Sequence, residues 1–144
     1  YAQQATLACA EYGKSFPASE MHGVEFLYNK ITRDVAKFFT HHDVFLSPTT
    51  AYPNIPVGQI NQDDPSHTAH SWYEAVFEPC PFTQLFNVTG NPAMTLPLSE
   101  SSNGWPIGMQ FAGRYLDEKT LFQLSGDLER AMPWAGRRPQ VIAS

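Results

Sequence analysis

Lysine and arginine are absent from residues 51 to 100 of the 144-residue chain. The acids there, Asp63, Asp64, Glu74, Glu78 and Glu100, give the stretch a net charge of -5, which is also the net charge of the whole chain. The flanks cancel: four cations face five anions before the stretch, and five face four after it. With no basic stripe, electrostatically driven binding to nucleic acid or to an anionic membrane is excluded as a main function. No apolar run approaches the roughly 20 residues that span a bilayer. The opening Tyr1-Ala-Gln-Gln-Ala-Thr6 has neither the basic start nor the apolar core of a signal peptide. It also lacks an initiating Met, which leads us to expect a processed or truncated product. Cysteine is scarce too. Cys9 and Cys80 are too few and too far apart for a disulfide scaffold or zinc knuckle, so a reducing, cytoplasmic compartment is expected.

What is present describes a globular chain, 42% hydrophobic and of single-domain length. Ala2 to Tyr12 reads as a short helix stopped by Gly13. After Pro17, apolar residues at Met21, Val24, Tyr28, Ile31, Val35 and Phe38 recur at helical spacing with charges on the other faces, predicting an amphipathic helix. Val44-Phe-Leu46 before Ser47-Pro48 suits a strand buried on both faces, and a helix followed by such a strand indicates an α/β fold. Nine of the twelve prolines fall between Pro48 and Pro106. Residues 49 to 81 therefore read as a long loop, of a length usually tied to function or mobility, with one helical turn near Trp72 to Phe77. Phe82 to Thr89 reads as a short helix closed by Gly90. Two alternating strands follow, Met94 to Leu98 and Ile107 to Phe111, joined through Asn103-Gly104 as an antiparallel pair. Pro97 cannot donate in a ladder and calls for an edge or an irregular register. Asp117 caps the last helix, with Leu116 and Leu121 as its hydrophobic staple, and Pro133 ends it. Gly126 inside that helix suggests a close neighbour.

Chemistry-bearing groups are sparse. His67 and His70 beside Asp63 and Asp64 could ligate a metal, but a polar loop lacking the helix of a His-Glu-x-x-His site reads more simply as solvated. No metal or cofactor is expected. Cys80, between Pro79 and Pro81, would need a base or a positive field to become a nucleophile, and its surroundings hold no cation unless a histidine approaches. It reads as a packed or pocket-lining thiol. The chain has no Gly-x-Ser-x-Gly elbow, no Gly-x-Gly-x-x-Gly and no Walker loop.

The segment Phe82-Thr-Gln-Leu-Phe-Asn-Val-Thr-Gly-Asn-Pro-Ala-Met-Thr-Leu-Pro-Leu98 resembles the C-terminal part of amidase signature family enzymes. So do Gly104-Trp-Pro-Ile-Gly-Met-Gln-Phe-Ala-Gly-Arg114, Asp117-Glu-Lys-Thr-Leu-Phe122, Asp43-Val-Phe-Leu-Ser-Pro-Thr-Thr50 and the closing Trp134 with Arg137-Arg-Pro139. The matches cover most of residues 20 to 140 in the family's order, with Trp105 where the family commonly has Leu. The closing motif is similar to the branch containing 6-aminohexanoate cyclic dimer hydrolase. The resemblance implies the C-terminal portion of a single large α/β amidase domain, a mixed β-sheet flanked by helices. Within it, helices occupy about 1–40, a strand and Pro-rich loop 43–81, a helix, hairpin and C-terminal helix 82–132, and a tail 133–144.

The implied activity is hydrolysis of carboxylic amides by a nucleophilic Ser, a bridging cis-Ser and a Lys. That catalytic signature would lie upstream of the chain. Ser99, Ser101 and Ser102 lie in a hairpin on the wrong side of the matching motifs, so no catalytic residue is assigned and the chain alone is expected to be inactive. Residues 60 to 82 would wall the substrate pocket, with Trp72, Tyr73, Cys80 and Phe82 as candidate contacts and ordinary core packing as their alternative role. A cation-free wall suits a neutral or amine-bearing amide. The expected partners are a small-molecule amide, the N-terminal remainder of the amidase and, through apolar faces left uncovered on the first and last helices and a strand edge, further copies of the chain as a homo-oligomer. A non-catalytic module that binds a separate N-terminal piece is the other reading.

Overall fold

The computed structural model describes residues 3–138. Tyr1, Ala2 and the end of the expected tail, 139–144 with Pro139 of the closing motif, lie outside the described residues. The elements in chain order are α1 (Gln4–Gly13), a short 3-10 turn (Ala18–Glu20), α2 (Met21–Phe38), β1 (Val44–Pro48), α3 (Ala69–Phe77), α4 (Gln84–Thr89), β2 (Ala93–Glu100), β3 (Pro106–Gly113) and α5 (Glu118–Ala131).

The strands form one sheet in the order β1-β3-β2, with both pairings antiparallel. Val44 opposite Gly113 and Met94 opposite Phe111 set the register. Because strand side chains alternate, Val44, Phe111, Met94 and Leu96 share one face, and Phe45, Ala112, Ser47 and Gln110 share the other. On the first face Leu96, Phe111 and Leu121 form a buried cluster with Val44, Met109, Leu124, Leu128 and Trp134 around it, which seats α5. On the second, Phe39, Phe86 and Ala112 are the cluster, with Val35, Phe38, Phe45 and Leu85 packed against it. The result is helix, sheet, helix, a three-layer α/β arrangement.

Local chemistry explains the elements. The turn between β2 and β3 closes on Gly104, whose φ of 77° favours glycine, and the Gly104 amide donates to the Ser101 carbonyl. The register slips between Leu96 and Ser99, around Pro97 on the edge strand β2, as a residue without an N–H requires. Gly90 ends α4 in the left-handed conformation. Asp117 caps α5 by accepting from the Thr120 amide at 3.3 Å.

Three expectations need correction. The staple does not form as read: Leu116 adopts φ 62° and is 72% exposed, while Leu121 alone turns into the core. Among the described residues Gly126 has no tight neighbour from another element, since an added Cβ would meet just the Arg130 guanidinium of its own helix at 3.4 Å. The β1 strand is not buried on both faces. It pairs with β3 on one side, and Leu46 is 56% exposed because α5 does not extend over it. Among the described residues its outer edge has no strand partner.

Candidate functional site

The stretch from Thr49 to Phe82, read as a loop, is closed at its neck. The Ala51 amide donates to the Pro79 carbonyl at 2.8 Å, and the Tyr52 hydroxyl donates to Glu78 Oε1 at 2.9 Å. That carboxylate raises the Tyr52 pKa above its usual value, because ionising the phenol would remove the bond and place two anions together. Below the neck, the Thr49 amide donates to the Gly108 carbonyl at 2.9 Å and the Thr49 hydroxyl donates to Thr95 Oγ1 at 3.1 Å. Gly108 is required there. A Cβ at that position would come within 2.8 Å of Thr95 Cγ2 and 2.9 Å of Thr49 Oγ1. Deeper in the sheet, buried Gln110 donates through Nε2 to Ser47 Oγ at 3.1 Å and to the Phe82 carbonyl at 3.3 Å. One side chain thus joins β1, β3 and the segment leading into α4.

The loop itself is folded on α3, a full helix where the sequence suggested a turn. Its signal is the capping box Thr68-x-x-Ser71: the Thr68 hydroxyl accepts from the Ser71 amide, and the Ser71 hydroxyl accepts from the Thr68 amide. Ser in place of the usual Glu or Gln at the fourth position hid that motif. The α1 helix holds the loop from outside. The fully buried Ala5 donates its amide to the Gln62 carbonyl at 3.0 Å, and the Tyr12 ring meets His70 edge-on at 5.6 Å.

The four candidate contact residues do not share one cavity. Tyr73, 49% exposed, stacks on Phe77 at 5.4 Å and lines an open recess of about 480 Å³ with His70, Glu74, Phe77 and Glu78. Trp72 is half-buried and faces His67, ring to ring at 5.4 Å. Cys80 is a half-buried free thiol in the connection from α3 to α4, where its carbonyl accepts from Gln84 Nε2 at 3.2 Å. Phe82 is half-buried, with its carbonyl held by Gln110. Phe77, Glu74 and Glu78 are recess residues that sequence reasoning passed over. Helical spacing of Tyr73, Phe77 and Glu74 about α3 would have joined them to the candidates.

The polar groups of the loop have separate tasks. His67 Nδ1 lies 3.2 Å from Ser71 Oγ, and His70 Nε2 lies 3.5 Å from the Tyr12 hydroxyl, so the two imidazoles have different partners. Asp64 accepts from the Ser66 amide at 2.8 Å, and that bond is the main reason its pKa is lowered. Among the described residues no three His, Cys, Asp or Glu side chains are grouped to hold a metal ion. Ser101 Oγ accepts from the Trp105 amide at 3.1 Å and serves the hairpin turn. Glu100 meets Arg137 Nε at 3.1 Å, so the C-terminal segment returns one positive charge to the acidic centre. Arg137 also donates to the Pro97 carbonyl at 2.7 Å, fastening the closing motif to the bulged strand. No helix among the described residues is long and apolar enough to cross a membrane.

The Amidase family model matches residues 18–122. The chain is similar to 6-aminohexanoate-cyclic-dimer hydrolase of Paenarthrobacter ureafaciens, 34% identical over 103 residues that cover 69% of this chain and 21% of that protein. Its fold is like that of a solved 6-aminohexanoate cyclic dimer hydrolase, with TM-score 0.79, 24% identity, and coverage of 96% of this chain and 29% of the other. It is also like a solved chain of the glutamyl-tRNA(Gln) amidotransferase of Thermotoga maritima, with TM-score 0.62, 21% identity, and coverage of 87% and 24%. The chain therefore spans between about a fifth and under a third of the length of these relatives.

Proposed function

The chain belongs to the amidase family, and from that premise we propose that it is the C-terminal portion of an amidase domain that hydrolyses carboxylic amides. The observation that carries this reading is the family match over residues 18–122. The chemistry is that of a nucleophilic Ser attacking the amide carbon, with a bridging cis-Ser and a neutral Lys relaying its proton and backbone amides holding the oxyanion. Those groups lie upstream of the chain. The hydroxyls described above support that reading: Ser71 Oγ lies 3.2 Å from His67 Nδ1 but is engaged in the α3 cap, accepting from the Thr68 amide and donating to the Thr68 carbonyl, and Ser101 Oγ serves the hairpin turn.

The role of this portion is to shape the substrate pocket. Trp72, Tyr73, Cys80 and Phe82 are its contact residues, carried at separate places on the necked loop and on the segment that Gln110 anchors, so that a common pocket requires the remainder of the domain. Tyr73 supplies an aromatic face beside Glu74 and Glu78, and the 51–100 stretch brings no Lys or Arg. A carboxylate-bearing substrate gains nothing from such a wall, whereas a neutral or amine-bearing amide is compatible with it. The substrate is a small molecule, no cofactor is used, and the working enzyme is a cytoplasmic homo-oligomer.

The complete reading frame, assayed on paired amides that differ in carrying a neutral group, an amine or a carboxylate, tests the proposal. Turnover is expected for the neutral and amine members, and Tyr73→Ala should raise KM more than it lowers kcat. Preference for the carboxylate member would overturn the pocket reading, and absence of amide hydrolysis across the series would overturn the activity.

A further inference from the structure

The α2 helix is longer than the platform that supports it. At about 1.5 Å per residue its 18 residues run about 27 Å, whereas the six residues of α4 run about 9 Å. The apolar stripe of α2 is continuous from Val24 through Tyr28, Ile31 and Val35 to Phe38. Its second half packs on the core, with Val35 and Phe38 against the Phe39, Phe86 and Ala112 cluster. The first half is largely open: Met21, Val24, Leu27 and Tyr28 are 58, 39, 51 and 48% exposed. Where the two halves meet, a mostly apolar groove of about 270 Å³ opens between Ile31, Val35 and Phe38 of α2, with Asp34 also in its lining, and Phe45, Leu85 and Phe86 below. The groove and the exposed stripe are neighbours on the same helix and together make a largely apolar surface, of the kind that marks an interaction site.

We propose that this surface is the docking site for the part of the amidase domain that the chain does not contain, which extends the layer begun by α4 along the underside of α2. The proposal rests on reading the chain as a portion of that domain. The matching hydrolase fold has more than two thirds of its length outside the aligned part, while 96% of this chain lies inside it. The bulk needed to cover the stripe therefore exists in the relative and is missing here. The polar side of the same helix, with its Lys30–Asp34 and Lys37–Asp34 pairs at 3.2 and 2.9 Å, is suited to remain in solvent.

Thiol accessibility tests the assignment. In a background that keeps Cys9 and Cys80, Val24→Cys, Leu27→Cys and the control Lys37→Cys are each placed in the complete protein and in the 144-residue chain, labelled with a maleimide and followed site by site by peptide mass spectrometry. In the complete protein the two stripe positions should react at least about tenfold more slowly than the control, as expected of amides and side chains that need an opening event. In the chain they should react about as fast as the control. Equal reactivity in a complete protein that hydrolyses amides would overturn the docking assignment while leaving the activity standing. Protection that appears in the isolated chain and grows with its concentration would assign the surface to a second copy and overturn the proposal in that way. Stripe protection in a complete protein with no amide hydrolysis would count against the amidase reading and not against the docking surface.

Discussion

Replacing Gln110 by Met keeps the length of the side chain and removes its donors, and this should loosen three segments together. Gln110 is 3% exposed and Ser47 is 7% exposed, so neither polar group has ready access to water. Stranding a buried polar group costs about 1–3 kcal/mol, and the half-buried Phe82 carbonyl, which water can reach, belongs at the low end. Losing both bonds should therefore cost about 2–4 kcal/mol. Urea unfolding, with the midpoint compared at constant slope, reads the change. The companion Ser47→Ala variant also removes a partner, but adding it to Gln110→Met leaves no stranded hydroxyl. The double variant should thus be at least about 1 kcal/mol more stable than additivity predicts. A Gln110→Met cost below about 0.5 kcal/mol, or strict additivity, would refute the view that this side chain anchors the pocket segment.

Gly108→Ala should destabilise by about 1–3 kcal/mol through overpacking against Thr49 and Thr95, and Thr95→Ser, which deletes the offending Cγ2, should recover part of that loss in thermal unfolding. Asp117→Ala should cost about 1 kcal/mol by uncapping α5, measured in the same way. The Tyr52 phenol, followed by NMR or ultraviolet titration, should ionise at lower pH in Glu78→Gln than in the parent, since the carboxylate raises its pKa. The sign follows from that shift: the neck bond is intact below the ordinary tyrosine pKa of about 10 and is lost as the pH rises through the raised value. An unchanged Tyr52 titration in the Glu78 variant would show that the neck bond does not form in solution.

Most elements were legible because their local signals agree with their packing. The α2 stripe, the Asn103-Gly104 reversal, the Pro97 irregularity and the Asp117 cap each depend on residues close in sequence. What failed depends on distant neighbours. Leu46 reads as a buried strand residue, but its exposure is decided by how far α5 reaches across the sheet. Leu116 occupies a staple position, but the turn after Arg114 forces a left-handed conformation that points it outward. Gly126 reads as a contact point, although no other element among the described residues crosses there. The extent of α3 was hidden by an unusual capping box. The candidate site was legible in part: Tyr73 lies in a recess, while the roles of Phe77, Glu74 and Gln110 depend on contacts across α3 or across more than 25 residues of chain.

Labelling with a serine-directed phosphonate, with the modified residue located by mass spectrometry, tests the central claim most directly. The complete protein should be labelled at a serine upstream of residue 1, with loss of amide hydrolysis, and the 144-residue chain should remain unlabelled and inactive. A phosphonylated serine within the chain, at Ser99, Ser101, Ser102 or elsewhere, would contradict the assignment of this portion as pocket wall without its own nucleophile.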